Sequence, residues 1–333
     1  RAGVSFPTYV SNGFPSAPSV FAFHCSAWPH RRKEIMTDFA GRGFDSLPAR
    51  LRTLGYDAVY VGADPHFDNQ SLWLPRWYSK VVDLVAEGGL ATDHNIVSRA
   101  MDEVRAHDRG AAGQPLFAFV STYSTHYPFT LPVDAGEAAV GGELSARYRQ
   151  TLRYSDREAG RLFDFLAARG RRTVTIVVGD HAFYNDLSRT SGVPENDNVW
   201  TPAIISGPAD LVGPPRRLAM PASHVDMMPT VLRLVGDDRP TASLGSDLLG
   251  SSRSARTAFA IRPGGLRLDR GGYSIVVDSR APNVVTTRVA FPSLLPPSEL
   301  PNGDPPAGSL IRWATEWSYL IERNRIWSDA LLR

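Results

Sequence analysis

Short apolar runs alternate along the chain with segments in which apolar residues recur at helical spacing. The runs are rich in Val, Ile and Phe and end in Gly or polar residues, which is typical of strands. They lie at 56–64, 115–120, 172–179 and 201–207. Segments with apolar residues three or four positions apart lie at 46–54, 92–107, 144–170 and 227–236. This alternation predicts an α/β sandwich with a mainly parallel central sheet flanked by helices.

Capping residues mark several of the predicted helix ends. Ser46 and Thr92 each precede an apolar helical stripe and suit an N-cap. Gly170 follows the longest helical pattern and suits a C-cap. Ser223 begins a capped turn that continues into a helix.

The pattern changes after about residue 250. Residues 259–280 resemble antiparallel strands joined by Gly turns, and residues 291–309 are rich in Pro and predict an irregular loop or linker. Aromatic and apolar residues over 310–327 suit a packed terminal helix or strand pair. We therefore expect a catalytic domain over 1–250, truncated at its N-terminus, and a small antiparallel β-rich subdomain with a terminal helix over 251–333.

Composition narrows the class of protein. The chain has 333 residues, of which 43% are hydrophobic, enough for one or two domains with a large core. The net charge of +2 without a basic block gives no reason to expect a nucleic-acid partner. A single cysteine, Cys25, excludes an internal disulfide and a thiolate metal cluster. No run of about 18 apolar residues is present, so we expect membrane contact only through a segment outside this chain.

Polar clusters follow three of the predicted strands. They comprise residues 64–69, residues 121–126 and the pair Asp180-His181. Ligands of α/β sheets gather beyond the carboxyl ends of the strands. The three clusters therefore predict a shared site at one edge of the sheet.

Asp180 and His181 form the most informative of these clusters. They follow the buried run TVTIVVG, and a tight turn there directs both side chains to the same end of the sheet. A carboxylate and an imidazole so placed can ligate a divalent cation. The alternative is a helix N-cap Asp beside a surface His.

Five motifs in matching order resemble the sulfatase family of the alkaline-phosphatase-like superfamily, especially its lipoteichoic-acid-synthase and phosphoethanolamine-transferase branch. VVGDH is similar to the metal-binding signature of that superfamily. The other four motifs are DNQSLWLPRWYSKVVDL, PLFAFVSTYSTHYPF, YRQTLRYSDREAGRLFDFL and SHVDMMPTVLRLVG. The resemblance covers roughly residues 8–250 and implies an alkaline-phosphatase-like fold.

The resemblance places Ser16 at the position of the nucleophile. A sulfatase has there a Cys or Ser followed by x-Pro-Ser-Arg, and this chain has Ser16-Ala-Pro-Ser-Val20. The Arg supports the formylglycine of sulfatases, so Val20 in its slot favours direct attack by the Ser16 hydroxyl. The alternative for Ser16 is a serine that merely caps the helix from about Ser19. Cys25 lies within that helical run and is expected to be a small buried residue.

The resemblance also implies a divalent cation held by Asp180, His181 and Ser16. Carboxylate, hydroxyl and imidazole ligands suit Mn, Zn, Mg or Ca without choosing among them. Such a cation neutralises ester oxygens and lowers the pKa of an attacking hydroxyl. The family takes a further acidic ligand from an earlier strand, which would precede Arg1.

Other polar residues are candidates for contacts with the ester. His126 is a candidate catalytic residue that hydrogen-bonds the transferred group or leaving oxygen, or else a turn histidine. His224 is a candidate substrate-binding residue, or else part of a helix cap with Ser223. Asp68 and Asn69 are candidate substrate-binding residues, and turn chemistry explains them equally well.

We therefore expect an enzyme that cleaves or transfers a phosphate or sulfate ester, favoured as a phosphoglycerol- or phosphoethanolamine-type transferase or a phosphodiesterase. A sulfuric ester hydrolase and a catalytically inactive ligand-binding relative are the alternatives. The expected partner is an ester of a lipid or a glycan. The resemblance implies a membrane-anchored protein whose catalytic domain is extracytoplasmic, with no anchor in this chain.

Overall fold

A computed structural model describes residues 3–111, 113–182, 199–250, 256–262, 265–270, 273–278, 285–290 and 307–326. The contacts of the backbone divide the chain into two compact units. The first unit comprises Arg1–Leu47 with Val174–Arg333, and the second comprises Pro48–Thr173. The domain boundary expected at residue 250 stays a prediction.

The described strands and helices follow one another in the alternation that the sequence predicts. The strands are β1 Val4–Ser5, β2 Tyr9–Val10, β3 Asp57–Gly62, β4 Lys80–Asp83, β5 Leu116–Val120, β6 Thr175–Val178, β7 Ala203–Ser206, β8 Arg216–Arg217, β9 Ala222–Ser223, β10 Thr257–Arg262, β11 Gly265–Arg270, β12 Tyr273–Asp278 and β13 Val285–Ala290. The helices are α1 Ser16–Cys25, α2 Ile35–Asp38, α3 Leu47–Thr53, α4 Leu74–Trp77, α5 Asp93–Gly110, α6 Leu144–Ala168, α7 Ala209–Val212, α8 Met227–Leu234 and α9 Ala307–Glu322.

Parallel pairing dominates the second unit, and the sheet of the first unit is mixed. Strands β4, β3 and β5 pair in that order, and both pairs are parallel. In the first unit the order is β6-β7-β1-β8, with β1 parallel to β8 and the other two pairs antiparallel. Strands β2 and β9 also pair in parallel. The expected α/β class is confirmed.

Three of the predicted capping residues, Thr92, Gly170 and Ser223, lie at helix ends as expected, and the N-cap role of Ser46 stays a prediction. The Thr92 hydroxyl accepts a hydrogen bond from the Asn95 amide at 3.3 Å at the start of α5. Gly170 follows α6 with a φ of +67°, a left-handed conformation that glycine adopts without steric cost. Ser223 and Asp226 form a capping box before α8.

The core of the second unit lies between its parallel sheet and α5. Val59, Val61 and Val82 from the sheet pack against Ile96 and Ala100 from the helix. These helical residues are four positions apart and share one face, as the apolar stripe predicts. The packing fixes the carboxyl ends of β3 and β5, from which the polar loops of this unit emerge.

The C-terminal part contains the antiparallel sheet that the sequence predicts. Strands β10 to β13 form four antiparallel strands in chain order. Apolar residues of this sheet, among them Phe259 and Leu268, pack against Leu310 and Ala314 of α9. The terminal segment is thus a helix, and it begins at Ala307, within the span expected to be a loop. The rest of that Pro-rich span, 291–306, lies outside the described residues.

Among the described helices, none is long and apolar enough to cross a membrane.

Candidate active site

Helix α1 presents the Ser16 hydroxyl at its first residue. The preceding Pro15 is the N-cap residue and provides no side-chain cap hydrogen bond. The Ser16 hydroxyl does not serve as a cap either, because it is directed toward the turn that follows β6. The Ser16 hydroxyl is therefore not used to cap the helix and is available for reaction.

Asp180 and His181 meet Ser16 although they lie far away in the sequence. The Ser16 hydroxyl donates a hydrogen bond to Asp180 Oδ2 at 2.7 Å, across 164 positions of the chain. His181 Nε2 lies 3.2 Å from Ser16 Oγ. The same nitrogen lies 3.5 Å from Asp180 Oδ2. The three side chains that the sequence singles out are thus brought to one place.

Local hydrogen bonds orient the His181 ring. Nδ1 donates to the main-chain oxygen of Ala182 at 2.9 Å, which leaves a lone pair on Nε2 in the neutral ring. The ring of Phe14 packs against the imidazole, with ring centroids 4.9 Å apart. The side chain is 19% exposed and that of Asp180 is 47% exposed, so both are open to solvent. A ligating histidine is commonly held by such a bond from its other nitrogen.

The spacing of these three donor atoms suits a shared divalent cation. Ligand atoms about 2.0–2.2 Å from one metal ion lie about 3 Å from each other. The separations between Ser16 Oγ, Asp180 Oδ2 and His181 Nε2 run from 2.7 to 3.5 Å. Among the described residues, no group of three or more His, Cys, Asp or Glu could hold a metal ion. The described site therefore contributes one carboxylate, one imidazole and one hydroxyl.

A second serine of α1 binds the turn that carries Asp180. Ser19 lies one helical turn after Ser16, and its hydroxyl donates a hydrogen bond to the main-chain oxygen of Asp180. Ser19 Oγ also lies 3.1 Å from His224 Nδ1 and 2.9 Å from the Ser11 hydroxyl. The spacing of three residues between the serines is the signal that could have identified Ser19, because residues at i and i+3 share one face of a helix.

His224 lies beneath the site rather than on its surface. The residue is 1% exposed, and Nε2 lies 3.1 Å from the main-chain oxygen of Gly179, to which it donates. Burial is the main cause that lowers its pKa to about 4, so the ring is neutral near pH 7. A neutral ring has one N–H, and the Gly179 bond uses it. This placement suits a residue that positions the turn, and direct contact with a substrate stays a prediction.

Replacing His224 tests whether it positions Asp180. We expect His224→Leu to weaken cation binding and kcat by about 10–100-fold, as for other residues behind a metal ligand. His224→Gln should recover most of both, because its amide N–H can still donate to the Gly179 oxygen. Isothermal titration with Mn²⁺ and steady-state kinetics measure the two effects. Equal losses in the two variants, with both still folded by circular dichroism, would show that the Gly179 bond is unimportant.

His126 lies in the second unit, in the loop after β5. Its Nδ1 contacts the main-chain oxygen of Tyr127 at 2.7 Å, and its ring stacks on Tyr123 with centroids 5.6 Å apart. The side chain is exposed. These contacts suit a residue presented to a ligand, and its predicted catalytic role stays a prediction.

Two residues of the acidic turn after β3 have contacts or backbone angles that are typical of a turn. Asp64 Oδ1 accepts a hydrogen bond from the His66 amide at 3.0 Å. Asn69 is exposed and has a φ of +56°, a conformation that Asn tolerates well. The Asp68 side chain lies outside the described part of the structure. Substrate binding by Asp68 and Asn69 stays a prediction.

Cys25 is not a competing nucleophile. It is 1% exposed at the last residue of α1. Burial raises the pKa of its thiol well above the usual range, so the reactive thiolate is disfavoured. The expectation of a small buried residue is confirmed.

The chain as a whole is similar to several known proteins. The family model described as Sulfatase matches residues 1–237. Lipoteichoic acid synthase 1 of Bacillus subtilis (strain 168) is 26% identical over 249 residues, which cover 65% of this chain. The chain spans 37% of the length of that relative.

Solved structures share the fold. A protein of the alkaline phosphatase superfamily from Vibrio parahaemolyticus matches with a TM-score of 0.78 and 22% identity, over 98% of this chain and 81% of that one. A lipoteichoic acid synthase from Listeria monocytogenes matches with a TM-score of 0.74 and 17% identity, over 97% of this chain and 84% of that one. The expected alkaline-phosphatase-like fold is confirmed.

Proposed function

The chain belongs to the sulfatase family, whose members act on sulfate or phosphate esters, and we propose that it cleaves or transfers a phosphate ester through the Ser16 hydroxyl. The convergence of Ser16 Oγ with Asp180 Oδ2 and His181 Nε2, at 2.7 and 3.2 Å, carries this proposal. A hydroxyl beside a carboxylate and an imidazole lone pair has the surroundings of an activated nucleophile.

A phosphoglycerol- or phosphoethanolamine-type transferase or phosphodiesterase is favoured over a sulfatase. The similarity to a lipoteichoic acid synthase supports this choice. Val20 supports it independently, since it replaces the Arg that accompanies formylglycine and its side chain is buried, at 8% exposed. A buried valine offers no charge to a formylglycine at position 16. This environment supports the serine hydroxyl as the proposed reacting group.

The donor atoms at Ser16 fit a divalent cation, and Ser16, Asp180 and His181 would hold it. Such a cation, when bound, neutralises the ester oxygens and favours the deprotonated hydroxyl. Mn, Zn, Mg and Ca all accept the oxygen ligands, and the imidazole favours a transition metal such as Zn. The choice among these metals is open to direct measurement by metal analysis of the purified protein.

The reaction consists of two displacements at phosphorus. Ser16 Oγ forms a bond to phosphorus and gives up its proton, while the bond to the leaving oxygen breaks and that oxygen takes a proton. Asp180 Oδ2 holds the hydroxyl proton in the resting site, 2.7 Å from Oγ. Water or an acceptor alcohol then attacks the Ser16 phosphoester and restores the hydroxyl. Water gives hydrolysis, and an alcohol gives transfer.

The ester and its location are part of the proposal. A phosphate ester of a lipid or a glycan is the proposed substrate, and a membrane-anchored protein with an extracytoplasmic catalytic domain is the proposed setting. The anchor would be a segment outside this chain. Nucleic acid is not a proposed partner.

A paired assay tests the proposed reaction. We expect bis-p-nitrophenyl phosphate to be hydrolysed at least about tenfold faster than p-nitrophenyl sulfate, and mass spectrometry of trapped enzyme to show a phosphoester on Ser16. Sulfate release with formylglycine at position 16 would instead establish a sulfatase. No turnover of either compound, with retained binding of a phosphodiester, would favour the inactive relative.

A further inference from the structure

A cavity of about 410 Å³ lies within the second unit, over the start of α6. Residues of three segments line it: Phe129, Thr130 and Leu131 from the loop after β5, Ala139, Val140, Gly141 and Gly142 before α6, and Arg147 and Gln150 on α6. Ligand pockets commonly hold a few hundred cubic ångströms. The cavity is therefore large enough for a small organic molecule.

Arg147 is the unusual residue of this cavity. Its Nε atom is buried and has no hydrogen-bond partner. Within the described part of the chain, its guanidinium forms no hydrogen bond or salt bridge. A guanidinium remains charged in proteins, so a buried donor atom without a partner carries an uncompensated desolvation cost. An anion in the cavity would remove this cost.

The surroundings of Arg147 favour negative charge further. The residues that line the cavity include no Asp or Glu. Arg147 lies in the first turn of α6, a helix of 25 residues, whose N-terminus attracts anions through its dipole. The N-cap residue, Glu143, makes no side-chain cap hydrogen bond to the helix backbone, and its carboxylate accepts a hydrogen bond from the Ser145 hydroxyl at 3.3 Å.

The wall of the cavity is fixed by Gln150, which is 2% exposed. Its Oε1 accepts a hydrogen bond from the Val140 amide at 2.8 Å, and its Nε2 donates to the Ala138 oxygen at 2.7 Å. Both bonds attach the segment before α6 to the helix. The cavity is thus part of the folded unit and does not depend on a ligand to shape it.

We propose that this cavity binds a small oxyanion ester, with the phosphate or sulfate group on Arg147 and the organic part against Phe129, Leu131 and Val140. An Arg fork matches such oxyanions in shape and charge. Phe129 is 3% exposed and gives the site an apolar wall, and Thr130 adds a hydroxyl. The buried Nε atom of Arg147, which has no hydrogen-bond partner, is the reason to expect an anionic group in the cavity. The choice of an ester rests on the proposed function.

Titration of the Ser16→Ala protein after removal of metal with EDTA tests the proposal. Under these conditions turnover is absent and the exposed Asp180 carboxylate disfavours anions near residue 16, so anion binding reports on the cavity. We expect glycerol 1-phosphate or glycerol sulfate to bind more tightly than inorganic phosphate, and glycerol not to bind. Which of the two esters binds more tightly identifies the oxyanion. Equal binding of glycerol and its phosphate would overturn the proposal.

Two substitutions that each remove one positive charge provide the matched comparison. Arg147→Gln should weaken ester binding by about 10–100-fold, the effect of a lost charge-assisted hydrogen bond. Arg149→Gln removes an exposed charge two residues away and should change the affinity less than about twofold. Equal losses in the two variants, or none in Arg147→Gln, would overturn the proposal.

A third variant guards against a loss of folding. Ala139→Trp fills the cavity from an exposed position and keeps Arg147. We expect it to abolish ester binding with an unchanged circular dichroism spectrum, and full binding in this variant would contradict a site in the cavity. Hydrolysis of bis-p-nitrophenyl phosphate by the protein with Ser16 intact is measured separately. A failure of cavity binding thus remains distinguishable from a failure of the proposed reaction.

Discussion

Replacing Ser16 with Ala lowers kcat/KM for bis-p-nitrophenyl phosphate by about 10⁴-fold or more, as expected for loss of a covalent nucleophile. The hydroxyl is the group that forms the phosphoester, and Ala has nothing to put in its place. The helix should survive the change, because Pro15 is its N-cap residue and the Ser16 hydroxyl is directed to Asp180 and His181. Circular dichroism and the thermal midpoint check this point.

A variant that keeps the hydroxyl provides the control. Ser16→Thr adds a methyl group but retains a nucleophilic oxygen at the same place. We expect measurable turnover and a phosphoester on residue 16 in this variant, and neither in Ser16→Ala. If Ser16→Ala retains activity within about threefold of the unaltered protein, attack by Ser16 is excluded.

Removal of divalent cations has the second largest expected effect. Chelation with EDTA should abolish hydrolysis of the phosphodiester, and readdition of one of Mn²⁺, Zn²⁺, Mg²⁺ or Ca²⁺ should restore it. A cation that binds the folded state alone stabilises the protein by about 2.7 kcal/mol at a concentration of 100 Kd. The thermal midpoint should therefore rise with the metal concentration.

Loss of the carboxylate at Asp180 should remove both the recovery of hydrolysis on metal addition and the rise of the thermal midpoint with metal concentration. Asp180→Asn keeps the size of the side chain but removes its charge, so we expect more than about a 100-fold loss of cation affinity and no thermal shift. Asp102→Asn is the matched control, because this carboxylate is 63% exposed on α5 and bonds Arg105. Identical thermal shifts in the Asp180 and Asp102 variants would show that the cation binds elsewhere.

The main elements and the central pair of the site can be predicted from the sequence because both depend on local patterns. Alternating apolar periods locate the strands and helices. The Asp180-His181 pair follows a buried strand, and Ser16 follows Pro15 before an apolar helical run. The proximity of Ser16 to this pair does not follow from local patterns. Its prediction rests on the resemblance to the family rather than on periodicity.

The parts that the sequence does not reveal depend on tertiary contacts. A histidine at position 224 could face a ligand or lie buried, and the sequence does not distinguish the two. The contacts of its ring with Ser19 of α1 and with the Gly179 turn show that it is buried. Arg147 lies among several arginines at the start of α6, and nothing in its spacing sets it apart. Its Nε atom is buried where the loop after β5 and the segment before α6 form a cavity with the helix, and this packing is a tertiary contact.

The hydrogen bonds from Ser19 and His224 to the main-chain oxygens of Asp180 and Gly179 use no atom of Ser16. Esterification of Ser16 would therefore displace the contacts of its own hydroxyl and leave these two in place. The scaffold around the loaded serine stays the same as in the resting enzyme. A second molecule, water or alcohol, would then meet a site that is already assembled, and the turnover cycle would require no rearrangement of the backbone here.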